Sequence, residues 1–210
     1  MKKILLFLSA FLLLFLGACE KNTPTGDNSG QEEKTGTGEA TTLGKTLVVW
    51  YSYTGNIKKN VEALCKQIEA DAVEVVPSEK GLKYEANNYA IGSAQIQAIK
   101  DNPDKESSYP GIDTSLSELD RYDTVIIATP LWWSQMAAPM QTLLFKYGKQ
   151  FSGKKTGLIV SSASSGISGV ESDAKRLVPD GKFMTPSLWI KSSETSKSAS
   201  MIEQWLKSMK

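Results

Sequence analysis

The run Leu47-Val48-Val49-Trp50-Tyr51-Ser52-Tyr53-Thr54-Gly55-Asn56-Ile57 decides how the rest of the chain is read. Its first four residues are continuously apolar, as in a strand covered on both faces. Hydroxyls and a glycine follow. Val61, Leu64, Cys65 and Ile68 then fall at i, i+3, i+4 and i+7, the stripe of a helix. A buried strand that turns through Ser, Thr and Gly straight into a helix is half of a βαβ unit.

The same alternation runs to the end of the chain. Residues 72–76 read as a second strand, and 123–129, rich in Val and Ile, as a third. Met136, Met140, Leu143, Leu144 and Tyr147 mark the next helix, and residues 156–160 a fourth strand. Val170, Ala174 and Leu177 lie on a helix, residues 183–190 form a fifth strand, and Ile202, Trp205, Leu206 and Met209 a closing helix. Strands alternating with helices predict an α/β fold, doubly wound, with a five-stranded parallel sheet and helices on both faces. The connection 77–122 is too long to lack structure. Ile91, Ala94, Ala98 and Ile99 predict a helix over 89–100. There is no internal repeat.

The N-terminus has a different character. Met1-Lys2-Lys3 is followed by an apolar stretch from Ile4 to Ala18, then Cys19. A basic start, an apolar run and small residues before a cut make residues 1–18 a secretory signal peptide. Fifteen residues are short for a spanning helix, which needs about 20. Leu16-Gly17-Ala18-Cys19 resembles the lipobox of bacterial lipoproteins, which implies lipidation of Cys19 and cleavage just before it. Residues 19–44 are then the lipidated Cys and a polar tether too poor in apolar side chains to order itself, and residues 45–210 are one domain. The chain is expected to be exported and held on a bacterial membrane by its lipid anchor, with the domain outside the cytoplasm.

Composition excludes several classes of function. With Lys2 and Lys3 removed, 22 basic and 23 acidic residues remain, a formal charge of −1, which argues against nucleic acid as a partner. The chain has no histidine, which removes His-assisted nucleophilic triads and His-ligated metal sites. Apart from Cys19 the only cysteine is Cys65, so no intrachain disulfide framework is available, and Cys65 reads as a small apolar group on a helix face.

In an open α/β sheet, ligands bind outside the carboxyl ends of the strands. The first strand exits into Ser52-Tyr53-Thr54-Gly55-Asn56-Ile57, where hydroxyls and a glycine at a helix N-terminus suit a phosphate. Lys58 and Lys59 in the first turn oppose the helix dipole unless an anion is present. The third strand exits into Pro130-Leu131-Trp132-Trp133, two tryptophans that a flat ring would cover. The fourth exits into Ser161-Ser162-Ala163-Ser164-Ser165-Gly166-Ile167. Each also has an ordinary reading: an N-capped helix start, tryptophans packed on neighbouring loops, and a serine-rich turn.

Together these loops resemble the flavodoxin family. Ser52, Thr54 and Gly55 match its phosphate loop, Thr/Ser-x-Thr-Gly-x-Thr, and Ile57 replaces the last Thr. Pro130, Trp132 and Trp133 match the Pro-x-Trp-Trp of a bacterial branch. Ser162, Ser165, Gly166 and Ile167 match that branch's Thr-Ser-Gly-Gly-Ser-Gly-Ile, with Ala163 and Ser164 in place of two glycines. The resemblance covers the chain from Lys45 onward and implies strand order 2-1-3-4-5. It implies FMN as cofactor, with Ser52, Tyr53, Thr54, Gly55, Asn56 and Ile57 at the phosphate. Pro130, Leu131, Trp132, Trp133, Ser162, Ala163, Ser164 and Gly166 would lie along the isoalloxazine. The chemistry belongs to the cofactor, so no catalytic acid or base and no metal ligand is assigned. The expected activity is that of an oxidoreductase or electron-transfer flavoprotein. Residues 161–169 offer no aromatic to cover the second flavin face, which implies access for a quinone or another flavin. The alternatives are a one-electron carrier and a surface protein that keeps the fold without flavin. Matches to G-x-x-x-x-G-K at 148–154 and to S-x-x-K at 152–155 and 172–175 lack the neighbouring elements that would give them chemistry.

Overall fold

The structure is a computed structural model and describes residues 42–209 together with the backbone of Gly17–Ala18. Apart from those two residues, the leader lies outside the described residues, as do Cys19 and the tether up to residue 41.

Five strands form the parallel sheet: β1 (Thr46–Trp50), β2 (Asp71–Glu74), β3 (Thr124–Trp132), β4 (Lys155–Ser162) and β5 (Leu188–Lys191). Their spatial order is β2-β1-β3-β4-β5, as the sequence implied. Gly17–Ala18 pairs antiparallel with β2. The registers Val49↔Ile127 and Ile127↔Leu158 carry a row of buried side chains across the sheet.

Alternation along each strand divides two cores. Val48, Trp50, Ile126, Ala128 and Ile159 face α1 (Asn56–Cys65) and α5 (Ser198–Ser208). Leu47, Val49, Val125, Ile127 and Leu158 face α2 (Ala90–Asp101), α3 (Ala138–Tyr147) and α4 (Ser168–Leu177). All five residues of β1 are buried, which explains its unbroken apolar run.

Four expectations are corrected. Strand five is broken into Lys182–Phe183 and Leu188–Lys191, because Pro186 has no N–H to give a ladder. Strand three runs on to Trp132 and strand four to Ser162, so several residues read as loop are paired. On α2 the buried face is Gly92, Ile96 and Ile99, whereas Ala94 and Ala98 are exposed, since methyl groups cost little in water. Residues 42–44, read as the end of the tether, belong to the domain. Leu43 packs on the core, and its carbonyl accepts the Thr124 hydroxyl.

The long excursion between β2 and β3 returns to its own starting point. Pro77 and Ile112 form an antiparallel bridge, Ser78 N donates to the Gly111 carbonyl (3.0 Å), and Asp113 N donates to that of Val76 (2.9 Å). Val76 N donates to Thr114 Oγ1 at 2.8 Å.

Candidate functional site

The sheet carries β1 straight into its exit loop. Gly55 has φ 84° and stands as the N-cap of α1, with no side chain capping the helix. A Cβ there would touch nothing, so glycine is required by the left-handed backbone and not by crowding. The first N–H groups of α1 are thus left for another acceptor. Thr54 Oγ1 accepts only a 3.3 Å bond from Asn56 Nδ2, and Asn56 Oδ1 accepts one of 3.3 Å from Thr195. Ser52 Oγ is buried with no partner. Ile57, placed by sequence at the phosphate, turns its side chain into the core beneath β1, so only its backbone can face the loop.

At the end of β3 the chain makes a two-residue hairpin. Leu131 pairs with Met136 and Trp132 with Gln135, leaving Trp133 (φ 47°) and Ser134 (φ 64°) at the turn. Such a turn needs positive φ at both central residues and usually takes Asn-Gly. Here neither is glycine, at a cost on the order of 1–3 kcal/mol each. Trp132 sits 4.8 Å from Tyr84, 5.7 Å from Tyr51 and 6.4 Å from Trp133, centroid to centroid. The Trp133 ring lies so close over Gly92 that a Cβ there would come within 2.9 Å of it.

Beyond β4, Ser162 is committed to its own loop: its hydroxyl donates to the Ser165 carbonyl (2.8 Å) and accepts from Trp189 Nε1 (2.8 Å). It is therefore engaged before any ligand arrives. Ser161 Oγ, next to it in register with Pro130, is buried without a partner. Ala163, Ser164 and Gly166 are exposed.

The first and third loops converge on a cavity of about 240 Å³ lined by Tyr53, Thr54, Tyr84, Tyr89, Gly92 and residues 130–133. The fourth loop does not line it. Tyr84, Tyr89 and Gly92 come from the long excursion; the apolar stripe that predicted a helix over 89–100 did not include them. The only sequence signal was aromatic residues in a connection too long for its purpose. Tyr53 meets Tyr84 edge-on at 5.2 Å, and Tyr89 and Trp133 stay about half exposed at the mouth. Burial raises the Tyr51 and Tyr84 hydroxyls above the ordinary tyrosine range, so both remain protonated near neutrality. Among the described residues no cluster of His, Cys, Asp and Glu could hold a metal ion.

An open parallel sheet with its ligand-shaped features gathered at the carboxyl edge defines an α/β ligand-binding protein. Residues 45–209 match the sequence profile of the flavodoxin family, and the chain belongs to that family. Among solved structures, a candidate flavoprotein from Bacteroides eggerthii superposes with TM-score 0.61 at 22% identity, covering 77% of this chain and 95% of that one. A second, from Bacteroides uniformis, gives 0.60 at 21% identity over 77% and 99%. A flavoprotein from Lactobacillus acidophilus, solved in complex with FMN, gives 0.57 at 23% identity over 75% and 99%. At these identities the likeness is one of fold. No curated protein matches the chain.

Proposed function

We propose that this chain is an FMN-binding flavoprotein that passes electrons to a flat acceptor, a quinone or another flavin. The carrying observation is that Thr54 borders both an uncapped helix N-terminus and an aromatic cavity. The residues fit FMN in kind. Free N–H groups at the start of α1 and the Thr54 hydroxyl suit its phosphate. The orphaned Ser52 and Ser161 hydroxyls suit its polyhydroxyl chain, and Trp132 and Trp133 suit its ring. Bound FMN would supply the redox chemistry. The protein's part is to orient that ring and to exclude water with Tyr53, Tyr84 and Tyr89. The protonated hydroxyls of Tyr51 and Tyr84 serve as packing and hydrogen-bonding groups, not as acids or bases. A nearly neutral mature chain and an apolar, open cavity favour a small uncharged acceptor over a charged protein partner.

The chain would be held outside the cytoplasm by lipid on Cys19, within reach of a membrane-bound donor. Cys19→Ala should then accumulate as unprocessed precursor; release of that variant as efficiently as the wild type would sink the anchor. For the activity, the purified chain is loaded with FMN, reduced without air and mixed with quinones of increasing size. Two-electron oxidation faster than that of free FMN is expected. A stable semiquinone, with no quinone outpacing free FMN, would favour a one-electron carrier. If neither flavin absorbance nor calorimetric binding is found, the fold has been kept without the cofactor.

A further inference from the structure

The tryptophan hairpin is held from below by a buried polar network that the function above does not use. Met136, the last residue of the hairpin, has both backbone groups bonded to side chains. Its N–H donates to Asp173 Oδ2 at 2.9 Å, and its carbonyl accepts Gln141 Nε2 at 2.8 Å. Arg176 joins the two: Nη2 donates to Gln141 Oε1 (2.9 Å) and to Asp173 Oδ1 (3.1 Å). Its Nη1 donates to Tyr109 Oη at 3.1 Å, and that hydroxyl donates to the Pro103 carbonyl at 2.6 Å. Asp173, Gln141 and Met136 are all buried.

One turn before Asp173 on the same face of α4, Gly169 lies directly against the Ser134 carbonyl, where a Cβ would collide. Helix α4 therefore grips the hairpin twice, at its turn and at its second strand. The hairpin needs that grip, because two residue pairs cannot by themselves hold Trp133 and Ser134 at positive φ. The helix that grips it is also the one into which the fourth loop leads.

We infer that Asp173 is a positioning residue of the flavin site, holding the Trp132–Trp133 hairpin in register with α4 through Met136 N and the Arg176–Gln141 pair. In Asp173→Asn one face of the new amide must point a donor at Met136 N or at Arg176, so one of the two bonds is lost. In Asp173→Ala both are lost and the Met136 N–H is left buried and unmet.

The inference rests on the FMN reading for its first readout only. With the full chain, Asp173→Ala and Asp173→Asn should each weaken FMN binding about tenfold or more and shift the visible band of the bound flavin. Leu177→Ala, which thins the packing of the same helix and leaves the network intact, should lower the melting temperature yet keep the FMN affinity within about twofold. The second readout needs no flavin: near-ultraviolet circular dichroism of the tryptophans should change in Asp173→Asn and not in Leu177→Ala. Wild-type FMN affinity, flavin spectrum and tryptophan signal in Asp173→Asn would overturn the inference. A wild type that binds no FMN, with the tryptophan signal still altered by Asp173→Asn, would overturn the functional reading and leave the positioning role standing.

Discussion

The two edges of the sheet are built from the same strands and are chemically opposite. At the amino edge polar groups find partners. Asp71 accepts from the Tyr122 hydroxyl (2.7 Å) and from Arg121 (2.8 Å), and Lys45 N donates to Asp123 at 2.8 Å. Lys154 and Lys155 close on the carbonyls of Tyr122 and Thr42. At the carboxyl edge the Ser52 and Ser161 hydroxyls are orphaned, helix α1 is uncapped, and large aromatics stand in water. Of the seven described non-glycine residues with positive φ, five lie there: Asn87, Asn88, Tyr89, Trp133 and Ser134. One edge is finished; the other spends stability on features that only a ligand would use.

The sharpest break of that contrast is Gly55→Val. A β-branched residue at φ 84° cannot keep the turn, and FMN affinity should fall at least about hundredfold by calorimetry. Retained affinity would mean that the loop does not bind the phosphate. Next, Ser161→Ala removes a buried hydroxyl that has no partner. The FMN-free protein should gain about 1 kcal/mol in urea unfolding while its FMN affinity drops about tenfold. A destabilised FMN-free variant would show that the hydroxyl is already satisfied, and the two edges would be less different than drawn.

The smallest effect belongs to the amino edge. The Tyr122 hydroxyl first, and Arg121 after it, hold the Asp71 carboxyl below its usual value of 3.8, while burial and Asp71 push Tyr122 up to about 12. A depressed folded-state value means that Asp71 adds stability above about pH 4 and loses it as the pH falls through the lowered value. Partial exposure of Asp71 and Arg121 keeps the effect under about 1 kcal/mol. Asp71→Asn should therefore flatten the acid limb of the stability curve without changing FMN affinity. A changed affinity would tie the two edges together.

What could be read from sequence follows the same divide. Val48, Val49, Ile126 and Ile127 announced the sheet because burial on both faces leaves an unbroken apolar run. The exit loops of β1 and β3 were legible because topology fixes where they must lie. Tyr84 and Tyr89 were not, because Tyr84 lies in an aperiodic stretch and Tyr89 at the very start of the predicted helix, off its apolar stripe. Gln141, Asp173 and Arg176 fall outside the apolar stripes of their helices, and their meeting around Met136 is visible only in the fold. Ile57 stands where the family's phosphate loop ends in Thr, and its apolar side chain goes to the core instead.

The bridge between Pro77 and Ile112 makes the excursion after β2 a cassette with a clasp. The clasp fixes where the excursion leaves β2 and where it returns, so length can change in its exposed turns, while α2 and Tyr109 within it stay packed in the core. Closing a longer loop costs little, about 0.6 kcal/mol for each doubling of length. Tyr84, Tyr89 and Gly92 ride on this cassette, while the Gly55 turn and the tryptophans ride on the sheet. A change at Tyr84, Tyr89 or Gly92 would thus reshape the cavity wall and the seat of Trp132 and Trp133 together, while leaving the Gly55 turn on its strand.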